Sequence, residues 1–104
     1  MAAGKAYRRL VDKLTKENLW LFIIRLLREK PMYGYEIVYN VKNYFKISVA
    51  TVTIYVVLYK MVKEGLLKCK VHNGIKYYEV TDKGEEEYKR GLEFLSKIIT
   101  TLQQ

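Results

Sequence analysis

The 104-residue sequence is poor in the residue types that build most enzyme and metal sites. Its one cysteine, Cys69, rules out an internal disulfide and any zinc site made from several cysteines. A single histidine, His72, leaves little scope for acid–base or metal chemistry. We therefore expect no catalytic residue, no metal and no cofactor. The length predicts one domain, and no linker rich in proline, glycine or serine divides it.

Long apolar runs are also absent. The run that begins at Leu19 is interrupted by Arg25, and residues 47–59 form a stretch of only 13 residues without a charge. A membrane-spanning helix needs about 20 apolar residues. The N-terminus, residues 1–5, has no apolar signal core. These absences predict a soluble protein of the cytoplasm, with no membrane partner.

Positive charge, in contrast, is abundant. Lysine and arginine number 19 against 11 aspartates and glutamates, which gives a formal net charge of +8. Residues 1–81 carry 15 basic and 6 acidic side chains, whereas residues 82–104 carry 4 and 5. An excess of this size favours a polyanionic partner, nucleic acid more than an anionic membrane surface. The nearly neutral tail is expected to have another role.

Hydrophobic spacing predicts helices along the first half of the chain. Apolar residues recur at helical intervals from residue 6 to residue 30, with a break in phase after Leu14, where Thr15 can cap a second helix. We expect a short leading helix or extension and then the first domain helix, which ends before Pro31. Gly34 opens the next helix, followed by a short turn over residues 46–48.

Residues 49–57 are ambiguous because seven of the nine are β-branched, which is typical of a strand. Four apolar positions nonetheless share one helical face: Ala50, Ile54, Leu58 and Met61. Ser48 is a good N-cap residue, and Gly65 provides a stop. Periodicity and these end signals favour a helix.

Residues 66–81 are predicted to form a β-hairpin, since Asn73-Gly74 is a strong signal for a type I′ turn. The turn fixes the register and places Lys68 directly opposite Glu79. Cys69 is expected to pack as a small hydrophobic residue on the inner face, and His72 to be solvated. The inner face is expected to consist of Leu67, Cys69, Val71, Tyr78 and Val80.

Thr81 can cap a last helix, whose first turns are acidic as the helix dipole favours. The apolar positions of this helix step by four and three residues, as in a coiled-coil seam. Since so small a domain cannot cover the seam, we expect symmetric dimerisation rather than a helix folded back on its own core. The expected dimer contacts are Leu10, Leu14, Tyr88, Leu92, Leu95, Ile98, Ile99 and Leu102.

The predicted order is helix, helix, turn, helix and basic hairpin, which describes a winged helix-turn-helix. The fold class is therefore mostly α with a small β-hairpin (α+β), ending in a C-terminal dimerisation helix. We expect a helical extension over residues 1–16, a DNA-binding domain over 17–81 and a dimerisation helix over 82–104. In a helix-turn-helix the second helix of the motif enters the major groove. The helix near residues 49–63 is thus the expected reader, and the hairpin is a wing.

The expected reader surface has no Arg, Lys, Asn or Gln in its first two turns, although these side chains usually read base edges. Methyl groups of valine and threonine can instead contact thymine. We expect an A/T-leaning, pseudo-palindromic site in double-stranded DNA, with phosphates supplying most of the affinity. The candidate DNA contacts are Tyr35, Lys42, Ser48, Val49, Val52, Thr53, Tyr55, Val56, Lys60, Lys63, Lys68, Lys70 and Lys76.

Two alternatives stay open for these contacts. Some of the valines can be buried against the preceding helix or a dimer partner, an alternative that we weigh equally. The hairpin lysines can serve only to protect an exposed strand edge.

Three stretches resemble the PadR-like family of winged-helix transcriptional regulators. Pro31-Met-Tyr-Gly-Tyr-Glu-Ile37 looks like the family's PMHGYEI, and residues 53–67 are similar to its TLYPxLxRLxxxGLI segment. Residues 77–84 resemble its YYxLTxxG ending, and the whole resemblance covers about residues 17–90. It implies a DNA-binding homodimer, typically a repressor.

The resemblance also suggests a cavity at the dimer interface for a small planar or aromatic ligand, lined by Trp20, Tyr7 and Phe94. An ordinary core role for Trp20 is the favoured alternative. For the whole protein we expect a sequence-specific, homodimeric repressor associated with the nucleoid. The alternatives are an architectural, weakly specific DNA-coating protein and a protein-interaction module on the same fold.

Overall fold

The computed structural model describes residues 4–104, so the first three residues of the predicted N-terminal extension lie outside it. Five helices and a three-stranded antiparallel sheet make up the described chain. The elements in chain order are α1 (Lys5–Lys16), α2 (Leu19–Leu27), β1 (Met32–Tyr33), α3 (Gly34–Asn43), α4 (Thr51–Lys63), β2 (Leu67–His72), β3 (Ile75–Val80) and α5 (Asp82–Leu102). The predicted α+β fold class is confirmed.

The hydrophobic core lies where α2, α3 and α4 meet the base of the hairpin. Its most deeply buried side chains are Leu19, Ile23, Ile24, Ile37, Val41, Ile54, Leu58, Met61 and Leu67. Residues 51–63 are helical, as the periodicity predicted. Full burial of an aliphatic side chain contributes about 1.5–3 kcal/mol, whereas strand propensities span only about 1 kcal/mol. Residues 51–63 thus form a helix that buries Ile54, Leu58 and Met61 on one face, despite the β-branched composition.

The start of α4 differs from the prediction. Ala50, not Ser48, is the N-cap residue, and no side chain caps the helix. Ala50 is exposed rather than inward-facing, because it precedes the first helical turn. The turn is anchored instead by Ile47, which is buried and donates its backbone N–H to the Val41 carbonyl at 3.1 Å.

The predicted cap at the start of α2 is also wrong. Thr15 lies within α1, where its hydroxyl donates to the Val11 carbonyl one turn earlier at 2.7 Å. This local bond is an alternative that threonine often takes inside helices. The residue that precedes α2 is Asn18, and its side chain bonds to the Lys13 carbonyl at 2.8 Å.

The hairpin has the predicted register at all six positions, from Leu67 opposite Val80 to His72 opposite Ile75. Asn73 and Gly74 both have positive φ, 52° and 77°, as a type I′ turn requires. The sequence did not reveal β1, which pairs with β3 through two residues only and makes the sheet three-stranded.

Cys69 is exposed, so the prediction that it packs on an apolar inner face is wrong. Val71, on the same face, is 72% exposed. Only the base of this face, around Leu67 and Tyr78, reaches the core. Strand alternation assigns each residue to a face correctly, but the hairpin extends beyond the helices that would cover that face.

Thr81 joins α4, the hairpin and α5. Its hydroxyl oxygen accepts the Gly84 N–H at 3.0 Å, which confirms the predicted cap, and the hydroxyl donates to the Gly65 carbonyl just beyond α4. The Thr81 N–H donates to the Leu66 carbonyl at 3.1 Å. Gly84 packs on the same carbonyl, and a Cβ at this position would lie 2.2 Å from the Leu66 oxygen.

Replacing Gly84 with alanine should therefore destabilise the fold, because the obstructing atom belongs to the backbone and cannot rotate away. Overpacking of this kind costs about 1–3 kcal/mol, and each kcal/mol lowers the melting temperature of a domain of this size by roughly 4–8 °C. Thermal unfolding followed by circular dichroism measures the change.

Gly91→Ala is the matched comparison, since its Cβ would meet only side-chain atoms of Leu21 and Trp20, at 3.2 Å. It should shift the melting temperature less. Equal melting temperatures for the two variants would contradict the proposed cause.

Candidate nucleic-acid interface

One face of α4 is exposed along its whole length, opposite the buried face. The exposed residues include Val52, Tyr55, Val56, Tyr59, Lys60 and Lys63. Tyr59, which is 64% exposed, was not among the predicted contacts. It lies four residues after Tyr55, and helical spacing from the buried Ile54 and Leu58 would have placed it on this face. We call these six residues the α4 strip.

Two of the other predicted contacts near α4 are less accessible. Thr53 and Val49 are half-buried, and Val49 packs against the core. Ser48 is exposed in the turn before the helix. Within a single chain, Val52 and Val56 are 67% and 47% exposed. The core of their own chain therefore does not bury them.

Lys42 connects the two helices of the motif. Its ammonium donates to the Thr51 hydroxyl at 2.7 Å, which joins the end of α3 to the first residue of α4. Lys46 and Ser48 lie with Lys42 around a shallow depression in the turn. The Lys42 ammonium beside the uncapped start of α4, with Lys46 lining the same depression, makes a favourable environment for an anion such as a phosphate.

Aromatic rings surround the start of α3. The Tyr55 ring lies against Gly34 at the start of α3, since a Cβ on Gly34 would lie 2.6 Å from a carbon of that ring. The neighbouring Tyr33 stacks on Tyr35 at 6.4 Å and meets Tyr77 of β3 edge-on at 6.0 Å. Tyr35 is 66% exposed. The predicted contacts Tyr35 and Tyr55 therefore both lie at the start of α3.

The three predicted wing lysines do not share a face. Lys68 and Lys70 project from one face and both pair with Glu79, at 3.3 and 3.4 Å. Lys76 belongs to the other face, where its ammonium lies 5.4 Å from the Tyr78 ring centre. Desolvation acts to raise the pKa of Glu79. The hydrogen bonds and charges of the two lysines outweigh it and hold the pKa of this carboxyl below its usual value.

Six of the eight predicted dimer residues lie on two exposed apolar surfaces. None of the residues of α1 is buried, and Leu10 and Leu14 are 54% and 41% exposed. On α5, Tyr88 is buried in the chain's own core and Leu95 is half-buried. The exposed apolar residues of α5 in the predicted set are Leu92, Ile98, Ile99 and Leu102.

A cavity of about 510 Å³ lies between α2, α4 and α5. Trp20 and Phe94 line it together with Val57 and Met61 of α4, while Tyr7 does not. Two of the three residues expected around a ligand thus share one cavity. The ligand stays a prediction.

Within residues 4–104, no cluster of three or more His, Cys, Asp or Glu side chains is arranged to hold a metal ion. In the same part of the chain, no helix is both long and apolar enough to cross a bilayer.

A helix-turn-helix (α3 and α4) followed by a two-stranded hairpin defines a winged-helix protein. A model of the PadR-like transcriptional regulator family matches residues 23–90, well over half of the chain. The chain belongs to the PadR-like transcriptional regulator family, as its motifs suggested. DNA-binding regulation of transcription is therefore its functional class, and the family and its structural relatives are regulators rather than enzymes.

Solved structures agree with this assignment. A PadR-like transcriptional regulator from Bacillus cereus is 28% identical with a TM-score of 0.71, over 88% of this chain and 97% of that one. A PadR family transcription regulator from Clostridium difficile is 26% identical with a TM-score of 0.65, over 82% and 97%. A transcriptional regulator from Clostridium thermocellum shares the fold at 23% identity and a TM-score of 0.72, over 99% and 96%. A comparison with curated protein sequences gives no match.

Gly34→Ala tests the contact between α3 and Tyr55. The added Cβ displaces the end of the Tyr55 side chain, which can rotate, so the protein should stay folded while DNA binding weakens. The prediction takes the Tyr55 hydroxyl to bond a DNA phosphate. A hydrogen bond to a charged group contributes roughly 1.5–3 kcal/mol, so its loss would lower affinity about tenfold or more. Fluorescence anisotropy with labelled duplex measures the affinity.

Tyr55→Phe removes the hydroxyl alone and should weaken binding to a similar extent. In the Tyr55→Phe background, Gly34→Ala should then add little. A full further loss in the double variant would show that Gly34 does not act through Tyr55.

Proposed function

We propose that this protein is a sequence-specific regulator that binds double-stranded DNA as a homodimer and represses transcription. The observation that carries the proposal is the α4 strip, an exposed face on the second helix of a helix-turn-helix whose opposite face is fully buried. The major groove admits one α-helix, which meets base edges with one face. A face that binds DNA has to be exposed in the free protein, as this face of α4 is.

The chemistry of the α4 strip favours A/T-rich sequence. Val52 and Val56 present methyl groups suited to the methyl of thymine, and Thr53 at the edge of the strip adds a hydroxyl. Lys60 and Lys63 follow about one and two turns after Val56 and suit phosphates flanking the groove. Direct readout by so apolar a surface is modest, so backbone contacts supply most of the affinity.

Lysine, serine and tyrosine side chains elsewhere on the motif extend the contact with the DNA backbone. In this proposal Lys42 and Ser48 bind a phosphate at the start of α4, and Tyr35 and Tyr55 donate their hydroxyls to the neighbouring strand. The wing reaches the next stretch of duplex with Lys68, Lys70 and Lys76.

Dimerisation follows from the apolar surfaces of α1 and α5. A second copy of the chain is the partner that covers both surfaces at once, through contacts between equivalent residues related by a twofold axis. Two reader helices then contact half-sites about one helical turn (~34 Å) apart, or a multiple of that distance. A dimer on such a site excludes other proteins from the DNA it covers, which represses a promoter there.

Selection of bound sequences from random duplex DNA tests the proposal. We expect an A/T-leaning, pseudo-palindromic consensus, with footprinting of the selected duplex showing two protected half-sites. At fixed salt, the affinity for the selected duplex should exceed that for a scrambled duplex by about 10³ or more, as in specific regulators.

A ratio near one would favour an architectural, DNA-coating role. Absence of binding even at low salt would favour a protein-interaction module. Either result would contradict the proposal.

Ile99→Glu tests the dimer. The charge falls on the exposed apolar side of α5, so the variant should become monomeric and lose the advantage of two linked contacts, a factor of roughly 100 or more in operator affinity. Sedimentation equilibrium gives the mass, and anisotropy gives the affinity.

Thr101→Glu is the matched control, since it adds the same charge on the opposite side of α5 and should leave the dimer intact. A dimeric Ile99→Glu variant, or a monomeric parent protein, would rule out this interface.

A further inference from the structure

The wing carries one negative charge, that of Glu79, beside two of its lysines. Glu79 of β3 lies opposite Lys68 of β2, and Lys70 is two residues further along the same strand. Side chains two residues apart leave a strand on the same face, so all three groups project together. The carboxylate uses one oxygen for each lysine, at 3.3 and 3.4 Å.

The placement of Glu79 differs from that of its two partners. Its side chain is only 22% exposed, whereas those of Lys68 and Lys70 are 55% and 64% exposed. The carboxylate is therefore more shielded from solvent than the two lysine side chains that pair with it. A phosphate approaching this face has to compete with Glu79 for both ammonium groups.

We propose that Glu79 is a specificity-determining residue that restrains the wing from binding DNA of any sequence. The inference rests on the proposed function, because it assumes that the wing faces DNA. Affinity contributed by phosphate contacts is the same for every sequence. A carboxylate that occupies two phosphate-binding lysines lowers this shared affinity, and discrimination then depends more on the α4 strip.

The two sides of the wing differ in this respect. Lys76 projects from the opposite face and lies over the Tyr78 ring, beyond the pairing with Glu79. Glu79 therefore restrains one face of the wing and leaves the other available to the backbone.

Glu79→Gln tests the proposal in the full-length protein. The amide keeps the size of the side chain and removes its charge, so Lys68 and Lys70 become available to phosphates. Binding to random duplex should tighten, and it should depend more steeply on salt. The slope of log K against log salt should become more negative by about 1–2 per wing. Affinity for the selected operator should rise less, so the ratio of specific to random binding should fall several-fold.

Glu86→Gln is the matched control. Glu86 is exposed on α5 and forms no ion pair within the described part of the chain, so this variant loses the same charge without releasing a wing lysine. It should raise affinity for both duplexes only slightly and equally. Circular dichroism melting of each variant establishes that it is folded.

A variant that carries both Lys68→Gln and Lys70→Gln tests whether Glu79 acts through these two lysines or only through the net charge of the protein. There, adding Glu79→Gln should change neither the affinity for random duplex nor its salt dependence. If Glu79→Gln behaves like Glu86→Gln while the parent binds its operator specifically, the inference fails and the proposed function stands. If the parent does not bind DNA, both fail.

Discussion

The orientation of α4 about its own axis determines which of its side chains are exposed to a partner. Ile54, Leu58 and Met61 bury one face of this helix completely, and that burial overrides a run of β-branched residues that would otherwise favour a strand. Once this face is buried, the opposite one has to be exposed. The α4 strip is thus a consequence of core packing, and its residues need no separate force to hold them outward.

Much of the architecture was predictable because a few local patterns have only one good solution. Asn73-Gly74 dictates the turn, and the turn dictates all six pairs of the hairpin. Thr81 lies before an acidic first turn and is a true cap. In contrast, β1 was not predictable, since a two-residue strand has no periodicity and exists only because β3 lies beside it.

Most of the errors arise because local patterns do not show how far the core extends. Alternation placed Cys69 on the correct face of the strand, but nothing in the sequence shows that the helices end before reaching it. Ser48 has the chemistry of a cap, yet with Ile47 buried and Lys42 bonded to Thr51 the helix starts two residues further along. Tyr59 was missed although the same spacing that identified the buried face marks it as exposed. Which of the candidate residues contact DNA depends on a partner molecule, and a single chain does not contain that information.

The junction at Thr81 has a mechanical consequence. Thr81 is hydrogen-bonded to Gly65 just beyond α4, to Leu66 at the base of the wing and to Gly84 in the first turn of α5. Gly84 packs directly on the Leu66 carbonyl. The long helix that bears the proposed dimer contacts is therefore joined to α4 by hydrogen bonds and close packing at one junction. In a dimer built this way, the fold sets the distance and angle between the two α4 helices. An operator with one inserted base pair would rotate one half-site away from its reader, so such a dimer distinguishes sites by their spacing as well as by their bases.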